Sequence, residues 1–116
     1  MDGVPAARIG NITHPVDDVA AGVQFYRATL GLPTKFVDGD RYAALDGQGP
    51  TLALAGASED LTEGRPAASF KVVSVTDTLA AIESAGGEVV RPAQCGAHEI
   101  RAVARDPWGN MFVLYQ

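Results

Sequence analysis

Val16-Asp17-Asp18-Val19-Ala20-Ala21-Gly22-Val23 and Val72-Val73-Ser74-Val75-Thr76-Asp77-Thr78-Leu79 lie 56 residues apart and carry one pattern twice. Val16, Val19, Val23 and Gly31 recur as Val72, Val75, Leu79 and Gly87. Each set follows an apolar, strand-like run and encloses an amphipathic helix. A repeat of this length fixes architecture before any local motif does. Two copies imply a pair of similar modules and not a solenoid.

Working outward from the repeat, Arg8 to Thr13 reads as a strand that ends ahead of Pro15. Apolar residues at 19, 23, 26 and 30 give one buried helical face, with Asp18 as N-cap and Gly31 as stop. Thr34–Val37, Arg41–Leu45 and Thr51–Ala55 are short strands separated by Asp38-Gly39-Asp40 and Asp46-Gly47-Gln48-Gly49-Pro50, which is hairpin turn chemistry. Ala57 to about Arg65 is polar enough to link two modules. The cycle then restarts with a strand at Ala67–Val73, a Ser74-to-Asp77 capping box, and a helix whose stripe is Val75, Leu79, Ile82 and Ala85. Gly86-Gly87 stops it, and strands at Glu88–Arg91, about Glu99–Ala104 and Met111–Tyr115 complete the count. The expected fold class is α+β: two tandem βαβββ modules, about 8–56 and 66–116, forming a curved mixed sheet around a cleft with helices on the outer face. The whole chain is expected to be a single domain.

With 116 residues the chain can bury roughly two thirds of its unfolded surface without staples. A net charge of -5 and nine scattered basic residues exclude a nucleic-acid or anionic-membrane surface as the expected partner. Cys95 is the only cysteine, so neither a disulfide framework nor a thiolate metal cluster is available within the chain. Neither a secretory signal nor 18 consecutive apolar residues can be found, and a soluble cytoplasmic protein is expected. Dinucleotide, phosphate-loop and nucleophile-elbow motifs are missing, and Cys95 has no evident base partner.

The repeated module, with Val16-x-Asp18, Phe25-Tyr26, Leu30-Gly31-Leu32 and the terminal Asp106-Pro107-Trp108-Gly109-Asn110, resembles the vicinal oxygen chelate superfamily of glyoxalases, extradiol dioxygenases and bleomycin-resistance proteins. The resemblance spans about Arg8 to Gln116. It implies a cleft between curled sheets, usually completed by pairing of two chains, and in many members a divalent metal held from several strands. The positions implied as ligands are Asn11, Ala53, Ala67 and Val113 here. Three of these four side chains have no donor atom, and one amide cannot hold Zn, Ni, Mn or Fe. No metal and no cofactor are therefore expected. His14 falls by strand parity on the helix-packed side, and His98 is expected at the surface or on the helix side.

Alternation places Asn11, Thr13, Tyr42, Ala44, Thr51, Ala53, Ala67, Ser69, Lys71, Glu99, Arg101, Val103, Met111, Val113 and Tyr115 on the cleft side. Ile12, Leu45, Leu52, Leu54, Phe70, Val72, Ile100, Phe112 and Leu114 pack beneath the helices. Among the cleft residues, Glu99 pairs with Arg101 or Lys71, or leaves Arg101 to anchor an anionic ligand between the walls of Tyr42 and Tyr115, or these charges form a solvated rim. Trp108 either caps the cleft or plugs the module junction. The expected function is metal-independent binding of a small molecule, resembling the bleomycin-resistance branch, that sequesters an antibiotic or other natural product. The alternative is a metal-independent isomerase, cyclase or lyase using Glu99 or Tyr42 in proton transfer. A homodimer is expected, since open strand edges and apolar walls suit a second copy.

Overall fold

Asp18 and Ser74 start the two helices in the way their spacing requires. The Asp18 carboxylate accepts from the Ala21 backbone N–H at 3.0 Å and the Ser74 hydroxyl oxygen from that of Asp77 at 3.1 Å. Gly31, in the left-handed conformation at φ 68°, closes the first helix, a conformation that costs glycine nothing. The computed structural model describes residues 5–116 as β1 (Arg8–Pro15), α1 (Val19–Leu30), β2 (Thr34–Asp38), β3 (Tyr42–Leu45), β4 (Thr51–Ala55), β5 (Ala67–Lys71), α2 (Val75–Ser84), β6 (Glu88–Cys95), β7 (Ile100–Arg105) and β8 (Met111–Tyr115). The α+β class and the strand-helix-three-strand repeat are as expected.

Within each module the four strands follow the same order. The first carries β2-β3-β4-β1 and the second β6-β7-β8-β5, with one parallel pair and two antiparallel pairs apiece. The parallel pair is the crossover product: β1 pairs with β4, and β5 with β8, each crossover carrying one helix. The chain forms two compact units, 11–67 and 68–116, the second joined by Gly10 and the described residues before it.

Each unit has its own core. In the first, Val19, Ala43, Leu45 and Leu54 are buried, with Val16, Val23, Tyr26, Leu32 and Leu52 packed against them. In the second, Val75, Leu79, Ala102, Ala104 and Leu114 are buried beneath Phe70, Val72, Ile82, Val89, Ile100 and Phe112. Both lists follow the period-two and helical stripes of the sequence.

Several boundaries differ for physical reasons. β1 continues to Pro15 because Pro15 aligns with Ala55 and the next N–H, of Val16, donates to the Ala55 carbonyl at 2.8 Å. β6 runs through Pro92 to Cys95: it is the outermost strand of its module, where a missing N–H is tolerated, and two register shifts absorb the irregularity. The expected linker is a folded turn. A short 3-10 helix occupies Ala57–Glu59, the Asp60 carboxylate accepts from the N–H groups of Thr62 and Gly64 at 2.9 and 2.7 Å, and Thr62 is buried.

Asp18→Ala is expected to lower stability by about 1 kcal/mol, measured by urea denaturation, and an unchanged midpoint would mean the cap is not stabilising.

Candidate functional site

Cross-strand partners share a sheet face, so the register fixes which side chains can act together. In the second module Lys71 aligns with Tyr115, Tyr115 with Arg101, and Arg101 with Gln94. These residues form one row across four strands: cation, aromatic, cation, amide. Lys71 is exposed, while Tyr115 and Arg101 are half-buried. The next row on the same face joins Ser69, Val113 and Val103, all buried, and forms its floor.

The first module repeats this register with other side chains. Pro15 aligns with Ala55, Ala55 with Tyr42, and Tyr42 with Asp38. The Val72 N–H donates to the Tyr115 carbonyl at 2.9 Å, just as that of Val16 does to Ala55, so Pro15, Ala55 and Tyr42 are the positional counterparts of Lys71, Tyr115 and Arg101. Further along the same face, Asn11 aligns with Thr51 and Thr13 with Ala53.

The expected site residues thus divide between two faces. Asn11, Thr13, Tyr42 and Thr51, all half-buried, lie on the face of the first module; Ser69, Lys71, Arg101, Met111, Val113 and Tyr115 belong to the second, with Ser69, Met111 and Val113 buried. Glu99 is a correction. It lies outside β7, in an exposed turn closed by the Gly96 N–H donating to its carbonyl at 2.7 Å. Gly96 breaks the strand there, so parity does not extend to Glu99, and neither the expected ion pair with Lys71 or Arg101 nor the burial a general base needs is found among the described residues. Trp108 is also corrected as a plug: it is 83% exposed in the β7–β8 loop. Cys95 is a free, exposed thiol at the end of β6.

Sequence parity missed Lys35 and Phe36. A bulge between Thr34 and Phe36 sets two residues of β2 against one step of β3, and the Lys35 ammonium donates to the Thr51 hydroxyl at 3.0 Å. The Phe36 ring lies 5.8 Å from that of Tyr42. Only a register shift brings Lys35 to this face, and nothing in the alternation of Thr34–Val37 signals one. His14 is placed as expected on the helix side, where its Nδ1 is 3.0 Å from the Tyr26 hydroxyl.

The model of the glyoxalase/bleomycin resistance protein/dioxygenase superfamily matches residues 8–114. The chain belongs to this superfamily. An uncharacterized protein of Mycolicibacterium smegmatis is 37% identical over 99 residues, covering 85% of this chain and 84% of the relative. Among solved structures, a glyoxalase/bleomycin resistance protein/dioxygenase superfamily member from Vibrio splendidus superposes with a TM-score of 0.72 at 16% identity, covering 96% of this chain and 99% of that one. Streptomyces coelicolor methylmalonyl-CoA epimerase, in complex with 2-nitronate-propionyl-CoA, does so at 0.70 and 22%, covering 97% and 94%. At these identities the likeness establishes the glyoxalase-type fold.

For the divalent metal that the superfamily implies, the donor set does not fit. Ala53, Ala67 and Val113 offer no oxygen, nitrogen or sulfur, and Asn11 offers one neutral amide. Thr13 and Ser69 are the respective cross-strand partners of Ala53 and Val113, so a shift to the neighbouring strand substitutes hydroxyls, which are poor ligands for such ions. Among the described residues no three His, Cys, Asp or Glu side chains are grouped to hold a metal, and no helix is long and apolar enough to cross a membrane.

The superfamily-like loop Asp106-Pro107-Trp108-Gly109-Asn110 is organised by one carboxylate. Asp106 accepts from the Asn110 side-chain amide at 2.8 Å and from the backbone N–H groups of Asn110 and Trp108 at 2.9 and 3.0 Å. These hydrogen bonds, the Asn110 side chain foremost, hold its carboxyl below the usual aspartate value. A lowered folded-state value means the stabilisation is complete above the unfolded-state value, about 3.9, and is lost as pH falls through the folded one. The stability difference between wild type and Asp106→Ala should therefore be constant above about pH 5 and shrink below about pH 4, followed by thermal unfolding. A difference that grows on acidification would contradict this.

Proposed function

We propose that the protein is a metal-independent binder of small planar compounds bearing an acidic group, and that it sequesters such a compound, an antibiotic or other natural product, without converting it. The observation that carries this reading is the Lys71-Tyr115-Arg101 row. Its counterpart, Pro15-Ala55-Tyr42, occupies the same register with one aromatic and no charge. The repeated register is thus compatible with other side chains at these positions. The presence of two cations and a ring in one module alone supports a recognition role.

Chemically the row suits one ligand class. An Arg guanidinium grips a carboxylate through two parallel hydrogen bonds, a tyrosine ring offers a flat stacking surface, and an ammonium adds a second positive charge. Neighbouring strands are about 4.8 Å apart, and Tyr115 stands on the strand between those that carry the two cations. Apolar contact with the ring contributes about 25 cal/mol per Å² before association costs. The donor-free positions 53, 67 and 113 support recognition by shape, stacking and charge in place of chelation. Proton transfer by Glu99, one of the two groups on which the isomerase, cyclase or lyase alternative rests, has no support from an exposed turn.

Isothermal titration with planar aromatic carboxylates, acidic natural-product antibiotics included, is expected to give saturable binding that survives EDTA, with no product on prolonged incubation. Arg101→Ala should weaken it about tenfold or more. Silence across the panel, or binding restored only by added metal, would overturn the reading.

The same proposal takes a second copy of the chain as partner. β2 is the outermost strand of its module, all five of its residues are exposed, and Phe36 and Val37 are apolar. A dimer mass by light scattering at micromolar concentration is expected, and a monomer would remove this part.

A further inference from the structure

Gly10 is a glycine that its backbone does not require. Its φ lies outside the left-handed region, it sits inside β1, and glycine in a strand interior is unfavourable because it packs nothing and loses the most entropy on folding. Such a residue marks a close approach. Here the approaching group is Tyr115: a Cβ built on Gly10 falls on the tyrosine hydroxyl, with Cζ and Cε1 of the same ring 3.0 and 3.4 Å away. No other group comes as near to that position.

The pairing of glycine and tyrosine occurs once in the repeat. The residue 56 positions after Gly10 is Pro66, and the register counterpart of Tyr115 is Ala55. The notch, at the part of β1 that groups with the second unit, and the ring that fills it thus appear together, and the ring lies in the module that carries the two cations. A tyrosine at the middle of a row has rotamer freedom to lie toward either neighbour. Seating its hydroxyl over Gly10 removes that freedom: β5 lies between β1 and β8, so the ring leans across β5, on the Lys71 side of the row and away from Arg101.

We propose that Gly10 is a specificity-determining residue: its missing side chain forms the notch in which the Tyr115 hydroxyl lodges, and the lodged ring selects flat aromatic carboxylates over puckered ones. The inference rests on the binding role proposed for the Lys71-Tyr115-Arg101 row and adds to it the feature that sets ligand shape. A methyl group at residue 10 would displace the hydroxyl and tilt the ring, leaving both cations in place. Affinity for an anion would persist, while discrimination by shape would fall.

The test compares 2-naphthoate with cyclohexanecarboxylate, titrated into wild type, Gly10→Ala, Tyr115→Phe and the double variant. Wild type is expected to prefer naphthoate by about tenfold or more. Gly10→Ala should bring the ratio to within about twofold, chiefly by weakening naphthoate. In the double variant the space vacated by the hydroxyl accepts the methyl group, and the ratio should return to that of Tyr115→Phe alone, a non-additive cycle. An unchanged ratio in folded Gly10→Ala, or a double variant no better than it, would overturn the role of Gly10 while leaving the binding reading intact. Wild type that binds neither carboxylate would overturn the binding reading and this inference with it. Should Gly10→Ala not fold, ring-labelled tyrosine NMR of the wild type decides: a lodged ring gives slow flipping, and rapid averaging of the Tyr115 ring signals would contradict the notch.

Discussion

The candidate rows of both modules depend on the register of two parallel strand pairs. The Val16 N–H to Ala55 carbonyl bond at 2.8 Å and the Val72 N–H to Tyr115 carbonyl bond at 2.9 Å sit just before the two helices and align each crossover in the same way. Side chains alternate with a period of two, so a one-residue slip at either point would send Leu54 or Leu114 to the face away from the helices and draw Ala53 or Val113 beneath a helix. The buried sets under α1 and α2 hold the register against that slip. Lys71, Tyr115 and Arg101 share a row because Leu114 and Ala102 are held in the core beside them.

A repeated register also gives the molecule its own internal control. Positions that differ in chemistry between the modules, while agreeing in backbone geometry, show which side chains the register does not itself dictate. By that criterion the small residues Ala53 and Ala44, matched by Val113 and Val103, belong to the framework: they are buried in both copies. The cationic row does not recur in both copies. Nor does the polar group of the first module, where Lys35 reaches Thr51 beside Asn11. The two faces have diverged in opposite senses, one toward an aromatic flanked by cations and the other toward hydroxyl, amide and a single ammonium.

Most of the framework was legible in the sequence because burial imposes periodicity. Asp18, Ser74, Gly31 and the apolar stripes identify both helices, and alternation sorts Leu52, Leu54, Phe70 and Leu114 to the core. What escaped is what periodicity does not encode. The β2 bulge reverses the parity of Lys35, and turn geometry takes Glu99 out of β7. Edge placement lets β6 run through Pro92. The Asp106 hydrogen bonds build a loop that leaves Trp108 in solvent, and the fit of Tyr115 over Gly10 is a tertiary contact between residues more than a hundred positions apart. The missing metal donors were legible as composition, and the register gives them no substitute from the neighbouring strands.

The asymmetry between the modules is the central claim, and backbone-amide NMR during titration with a planar aromatic carboxylate tests it most directly. The account predicts that saturating shifts concentrate on Lys71, Tyr115 and Arg101 and leave Ala55 and Tyr42 unmoved. Shifts centred on the first-module counterparts, or spread equally over both rows, would contradict it.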